Sequence, residues 1–206
     1  HSFPTRRSSD LLFVPHGAPT FALKPGAAGA SLVKLGQTLE RPRAILVISP
    51  HWETRDPCVG SAPDFETIYD FAGFPRELYT LTYPAHGDAI LAERVATCLQ
   101  AADYPARIDP QRGLDHGAWV PLRMMYPTAD IPVIPLSIKP DAGAAYHYAL
   151  GQALAQLAAE GFLIIGTGSM THNLRDYMIC AQTNAPTPSY VRKFADWVDT
   201  QLVNQD

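Results

Sequence analysis

The chain has 206 residues, of which 47% are hydrophobic and 17% charged, a composition typical of one globular domain that buries most of its apolar surface. The formal net charge of −4 argues against a nucleic-acid partner, and no apolar run reaches the roughly 20 residues of a membrane span. Three cysteines, Cys58, Cys98 and Cys180, form no CxxC pair, so we expect free thiols and a cytoplasmic location, with Cys98 in the core.

Residues 1–10 are polar and lack periodicity, and we expect them to be a non-native segment ahead of one domain that spans 11–206. From there, apolar runs typical of strands alternate with helical patterns. In chain order we predict strand 11–14, helix 30–40, strand 44–49, helix 89–102, strand 106–108, helix 119–126, strand 131–138, helix 144–160, strand 162–165 and helix 189–202. This alternation predicts a single α/β domain whose mainly parallel central sheet is flanked by helices.

Two stretches depart from the simple pattern. Pro132 and Pro135 each remove a ladder donor from strand 131–138, which we therefore expect to be marginal or bulged. Residues 53–86 contain few regular patterns and many aromatic side chains, and we expect them to cover the entrance to the active site.

Four histidines lie in turns marked by glycine or proline, near the ends of apolar runs. His16 and His51 follow strands 11–14 and 44–49, His116 precedes a helix, and His172 follows the Gly-Thr-Gly-Ser loop after strand 162–165. Ligands of open α/β sheets bind at the carboxyl ends of the strands, and imidazole both binds divalent metals and titrates near neutrality. We therefore predict a metal-centred active site. A single such histidine is more often only solvated or hydrogen-bonded, and we regard His86 and His147 as structural or surface residues.

The surroundings leave some roles open. Asp115 either orients the imidazole of His116 or, as we prefer, caps the helix that follows. Trp52, Phe71 and Phe74 either form walls for an aromatic ring or belong to the core. The loop Gly166-Thr167-Gly168-Ser169 lacks the lysine and the spacing of a phosphate-binding loop.

Five stretches in this order resemble one family. They are PHGAPTFAL (15–23), AILVISPHWET (44–54), YDFAGFPRELYTLTYPAHG (69–87), GLDHGAWVPLRMMYPTADIPVIPLSI (113–138) and IIGTGSMTHNL (164–174). The chain resembles the class III extradiol ring-cleaving dioxygenases (LigB-like), and within them the 4,5-DOPA extradiol dioxygenase branch. The resemblance implies a LigB-like α/β fold, one Fe(II) or Zn(II) per chain, and the cleavage by O2 of a small aromatic diol beside its hydroxyl groups.

The matching motifs also imply roles for individual residues. The resemblance implies that His16 and His51 are metal ligands, and that His172 is the acid/base at the metal and a possible ligand too. His116 would contact the substrate or assist proton transfer. The family completes its site with a C-terminal Glu-His-Phe/Tyr-Leu-Pro-Leu type of motif that this sequence lacks. We therefore expect a C-terminally truncated domain without one metal ligand, and reduced activity.

Two other functions remain open at this stage. The same histidines would suit a zinc-dependent hydrolase, in which the metal lowers the pKa of a bound water. A Memo-like binding protein without enzymatic activity would use the same scaffold, although it has no need of all four histidines.

Overall fold

The computed structural model describes residues 11–204, and the chain divides into two compact units, 1–168 and 169–206. The predicted non-native segment 1–10 lies outside the described residues. Of the described helices, none is long and apolar enough to cross a membrane.

Strands and helices alternate along the first unit. They are β1 (Leu11–Pro15), α1 (Gly26–Thr38), β2 (Ala44–Glu53), β3 (Cys58–Gly60), α2 (Ala89–Gln100), β4 (Arg107–Asp109), α3 (His116–Met125), β5 (Val133–Ile138), α4 (Gly143–Leu154) and β6 (Phe162–Gly168). Short 3-10 helices cover Pro19–Ala22, Arg76–Thr80, Pro140–Ala142 and Ala155–Glu160. The second unit contains α5 (Leu174–Thr183) and α6 (Ser189–Val203).

The six strands form one sheet in the order β1-β6-β2-β5-β3-β4. All neighbouring pairs are parallel except β3 and β5, which meet antiparallel at Val59 and Leu136. The predicted α/β class with a mainly parallel sheet is confirmed. Because β1, β6 and β2 are parallel neighbours, their carboxyl ends share one edge of the sheet.

Successive residues of β2 point to opposite faces and enter two hydrophobic cores. Ile45 and Val47 pack with residues of α1 and α3, whereas Ala44 and Leu46 pack with residues of α2 and α4. All four are almost fully buried. This two-sided burial is typical of a central strand in a parallel sheet, and it explains the unbroken apolar run that predicted the strand.

Two differences from the predicted elements bear on the site. β2 continues past Ser49 to Glu53, so His51 lies inside the strand and not in a turn after it. The register against β5 shifts between Ile48 and Glu53, and Pro50 is tolerated in this irregular stretch because prolines are accommodated at bulges. α3 begins three residues earlier than predicted, so His116 is its first residue and does not precede it.

Other elements also depart from the prediction. β5 is not marginal, since five of its six residues are buried. The predicted helix 144–160 ends as α4 at Leu154 and continues as a 3-10 helix, which Gly161 closes at a φ of 87°. β3 and α5 were not predicted.

Candidate metal centre

Three of the four candidate histidines come together in the first unit. His16, His51 and His116 each offer a nitrogen, and the three nitrogens lie within 4.8 Å of one another. The ring centroids are 5.0 Å apart for His16 and His51, 4.1 Å for His51 and His116, and 5.4 Å for His16 and His116. Three residues far apart in sequence thus form one cluster of imidazoles.

His16 follows the last residue of β1 and is almost fully buried. The parallel register that pairs Val14 with Thr167 of β6 places the Thr167 side chain nearby, and its Oγ1 lies 3.2 Å from Nδ1 of His16. The chain then turns sharply at Gly17, whose φ of +62° favours glycine. A neighbouring strand therefore holds one side of this imidazole.

His51 lies in the irregular stretch of β2. Its Nε2 is 3.2 Å from Nε2 of His16, and its Nδ1 is 3.5 Å from Oδ2 of Asp70. Because Nδ1 and Nε2 lie on different sides of an imidazole ring, His51 contacts Asp70 on one side and faces His16 on the other.

His116 begins α3, and Asp70 holds it in two ways. The backbone N–H of His116 donates to Oδ1 of Asp70 at 2.9 Å, which caps the helix. Its Nδ1 lies 2.9 Å from both carboxylate oxygens of Asp70. The preferred prediction that Asp115 caps α3 is wrong, since its side chain makes no capping bond, and the alternative that it orients His116 is not seen.

The pKa of Asp70 reflects two opposing effects. Burial raises this pKa, but the hydrogen bonds from the ring and the backbone N–H of His116 outweigh burial. The net result is a pKa below the ordinary value of an aspartate. The carboxylate is therefore ionised near neutral pH and can only accept hydrogen bonds.

A buried polar network lies beneath the cluster, where β2 meets α3. Ser49 donates to Oδ1 of Asp115 at 2.5 Å, and both residues are almost fully buried. Arg112 reaches Oδ2 of Asp115 at 3.5 Å and the carbonyl oxygen of His51 at 3.4 Å. Asp115 thus joins the two elements that carry His51 and His116.

Gly117 permits the close approach of these two elements. A Cβ on Gly117 would lie 2.9 Å from Cδ2 of His51 and closer still to Oγ of Ser49. Both neighbours are held in place, so a side chain at this position has no room.

Aromatic side chains from the irregular stretch 53–86 lie next to His116. The ring of Phe71 meets that of His116 edge-on, with centroids 5.7 Å apart, and Phe74 packs on Phe71 at 5.5 Å. Phe71 and Phe74 are half-buried, whereas Trp52 is buried with the guanidinium of Arg112 5.6 Å from its ring. Phe71 therefore borders the cluster, and the burial of Trp52 fits its core interpretation.

His172 belongs to the second unit, in the segment between β6 and α5, and is exposed. It is not one of the three clustered imidazoles. His147 has a structural role, because its ring accepts a hydrogen bond from the backbone N–H of Lys139 and contacts the carbonyl oxygen of Gly143. His86 is half-buried, and its carbonyl oxygen accepts from the backbone N–H of Val133.

The sequence interpretation missed Asp70. This residue precedes His116 by 46 positions and lies in the aromatic stretch Ile68-Tyr69-Asp70-Phe71, without a helical or strand pattern. One signal was available there, namely an acidic residue enclosed by aromatic neighbours, a setting in which a carboxylate needs a partner.

The clustered imidazoles fit a bound divalent metal. Two imidazole nitrogens bound to one ion at about 2.1 Å, with an angle of about 100° between them, lie roughly 3.2 Å apart. The two Nε2 atoms of His16 and His51 have this separation. Imidazoles whose other nitrogen contacts a hydroxyl or a carboxylate are typical of metal ligands.

Comparison with known proteins gives consistent results. A family model described as the catalytic LigB subunit of aromatic ring-opening dioxygenase matches residues 30–205. A 4,5-DOPA dioxygenase extradiol of Beta vulgaris is 42% identical over 199 residues, which cover 95% of this chain and 73% of the relative. The protein of the same description from Escherichia coli (strain K12) is 44% identical over 165 residues, which cover 80% of this chain and 60% of the relative.

A solved structure agrees with this assignment. The crystal structure of an uncharacterized protein from Escherichia coli K12 is similar with a TM-score of 0.66 and 38% identity, and the match covers 81% of this chain and 62% of that chain. This chain thus spans between 60% and 73% of the length of these proteins.

The matches test the functional classes left open by the sequence. They favour a non-haem, metal-dependent ring-opening dioxygenase, and they do not favour a zinc hydrolase or a non-enzymatic binding protein. With a family model that matches 30–205 and relatives above 40% identity, this chain belongs to the LigB family of extradiol ring-cleaving dioxygenases, as its five motifs predicted.

Proposed function

We propose that this protein opens the ring of a DOPA-like catechol beside its two hydroxyl groups, with O2 as the second substrate and one Fe(II) per chain. The observation that carries the proposal is the cluster of His16, His51 and His116 at the carboxyl edge of the sheet. The substrate class is supported by the relatives described as 4,5-DOPA dioxygenases.

We favour Fe(II) over Zn(II) because the reaction needs a metal that exchanges electrons. Zinc has no accessible second oxidation state, whereas iron does. When bound, the iron would supply Lewis acidity and a redox-active centre at which an ionised diol and O2 meet.

His16 and His51 would hold the metal through their Nε2 atoms, which already have the spacing of two ligands of one ion. His172 would be a further donor and the acid/base at the metal, a role supported by its place in the family motif 164–174.

Proton transfer from the diol requires a neutral base. His172 is our first candidate and His116 the second. The carboxylate of Asp70 supports the role of His116, because its contacts with Nδ1 hold the ring in one orientation. The edge-on ring of Phe71 offers an aromatic surface next to this histidine, against which a substrate ring can pack.

We also propose a cytoplasmic location. The support is the state of Cys58, Cys98 and Cys180, all of which are free thiols. A reducing compartment keeps such thiols reduced.

The test is an oxygen-uptake assay with the Fe(II)-loaded protein and DOPA, followed by the absorbance of the yellow ring-opened product. Resorcinol, whose hydroxyl groups are not adjacent, is the control substrate because it cannot chelate one ion through both oxygens. We expect one O2 consumed per DOPA and none with resorcinol. No uptake with any catechol would contradict the proposal, and activity of the Zn(II)-loaded protein equal to that with Fe(II) would contradict the choice of metal.

A further inference from the structure

One carboxylate lies behind two of the three clustered imidazoles. Both oxygens of Asp70 are 2.9 Å from Nδ1 of His116, and Oδ2 is also 3.5 Å from Nδ1 of His51. The two rings are 4.1 Å apart at a tilt of 45°, so one carboxylate reaches both from the same side. Asp70 itself is about one-fifth exposed.

This arrangement determines where each imidazole carries its proton. An ionised carboxylate has no hydrogen to donate, so a neutral imidazole that bonds to it does so through an N–H on the facing nitrogen. For His51 and His116 that nitrogen is Nδ1, so Nε2 is the accepting nitrogen of each ring, and in His51 it faces Nε2 of His16 at 3.2 Å. A lone pair is what a metal or a substrate proton requires.

We propose that Asp70 is a positioning residue that fixes the Nδ1–H tautomer of both His51 and His116 and so presents both Nε2 lone pairs to the site. The consequence for catalysis rests on the proposed function, but the tautomers are a property of the protein by itself. His16 contacts Thr167 on its other side and is linked to Asp70 only through His51.

Asp70 also has a structural role that the experiment must distinguish from the positioning of the two rings. Asp70 also caps α3 by accepting the backbone N–H of His116, and a cap alone would make it a structural residue. Asparagine caps helices about as well as aspartate. Asp70→Asn therefore keeps the cap and changes only what faces the two rings.

The asparagine amide has one accepting oxygen and one donating nitrogen. If the oxygen stays on the backbone N–H of His116, the amide nitrogen takes the place of Oδ2, 2.9 Å from Nδ1 of His116 and 3.5 Å from Nδ1 of His51. That nitrogen donates, so an Nδ1 that bonds to it must accept, and the proton of that ring moves to Nε2. A protonated Nε2 cannot bind a metal.

The experiment is nitrogen-15 NMR of the metal-free protein labelled at histidine, in which long-range couplings distinguish the two tautomers. We expect Nδ1–H for His51 and His116 in the wild type, and Nε2–H for at least one of these two rings in Asp70→Asn. Asp130→Asn is the matched control, because it removes an exposed carboxylate that pairs with Arg41, and it should leave all ring signals unchanged. Unchanged tautomers in Asp70→Asn would overturn the proposal.

A second readout is Co(II) affinity measured by calorimetry, which needs neither O2 nor catechol. We expect Asp70→Asn to bind Co(II) about 10–100-fold more weakly, with the circular dichroism spectrum of the folded protein unchanged. Affinity equal to that of the wild type would contradict the positioning role. If the tautomers and the affinity change as expected but the wild type consumes no O2 with any catechol, the proposed function fails and the role of Asp70 stands.

Discussion

Two regions of this protein carry candidate histidines, and they are built in different ways. In the first unit, His16 and His116 are buried and His51 is half-buried, and a hydroxyl or a carboxylate contacts each ring. In the second unit, His172 is exposed on a segment between β6 and α5. Imidazoles held by such contacts suit metal binding, which needs fixed geometry, whereas the ring of His172 is open to solvent.

The largest effect that tests this comparison is the loss of a proposed ligand. His16→Ala and His51→Ala each remove one of two nitrogens at ligand spacing, and we expect Co(II) affinity to fall by more than about 100-fold, beyond the usual effect of an outer-shell change. Calorimetric titration of the purified variants measures this. His147→Ala, outside the cluster, is the control and should bind as the wild type does. Metal bound at one ion per chain in either cluster variant would refute the ligand assignment.

The next test concerns the exposed region. If His172 moves protons during turnover, His172→Ala should lower kcat by about 100-fold or more, the usual contribution of a general acid or base. Co(II) affinity should change far less than in His51→Ala, because the two proposed ligands at close spacing remain. Steady-state oxygen uptake and calorimetry on the same samples give both numbers. A normal kcat would remove His172 from the mechanism and leave proton transfer to His116.

The two regions also differ in how well the sequence predicted them. His16 and His51 were expected at the sheet edge because each comes after an apolar strand run, and parallel neighbours end at the same edge. The apolar run ends at Ser49 and does not predict that β2 continues through His51, because the shift in register depends on contacts with β5.

The role of Asp70 could not be predicted from the ends of apolar strand runs. It lies in an irregular stretch, and only the tertiary fold brings it to His116, 46 residues later. The same holds for Asp115, which local pattern assigned to helix capping and which instead accepts a hydrogen bond from Ser49, 66 residues earlier. Periodicity and spacing report on local structure, and neither records such long-range polar pairs.

A substitution at Gly117, where α3 approaches β2, tests how tightly the first unit is packed. Gly117→Ala would place a methyl group against Ser49 and His51, and we expect a loss of about 1–3 kcal/mol in the free energy of unfolding, together with weaker Co(II) binding. Urea denaturation followed by circular dichroism measures the first effect.

Gly151→Ala is the matched control for this change. Gly151 lies in α4 on an exposed face, and a Cβ there meets no atom within 4 Å, so alanine should stabilise the protein by up to about 1 kcal/mol. Equal effects of the two substitutions would show that the approach of α3 to β2 is looser than the structure indicates.

The smallest expected effect is a difference in cysteine reactivity between the same two units. Cys98 is 2% exposed in α2, and burial raises the pKa of its thiol, whereas Cys180 in α5 is half-buried. Thiolate is the reactive form, so at pH 8 both the raised pKa and the lack of access should slow Cys98. We expect iodoacetamide to modify Cys98 at least about 10-fold more slowly than Cys180, as measured by peptide mapping over time. Equal rates would mean that the first unit opens as readily as the second, and the fixed geometry attributed to its histidines would then lose its physical basis.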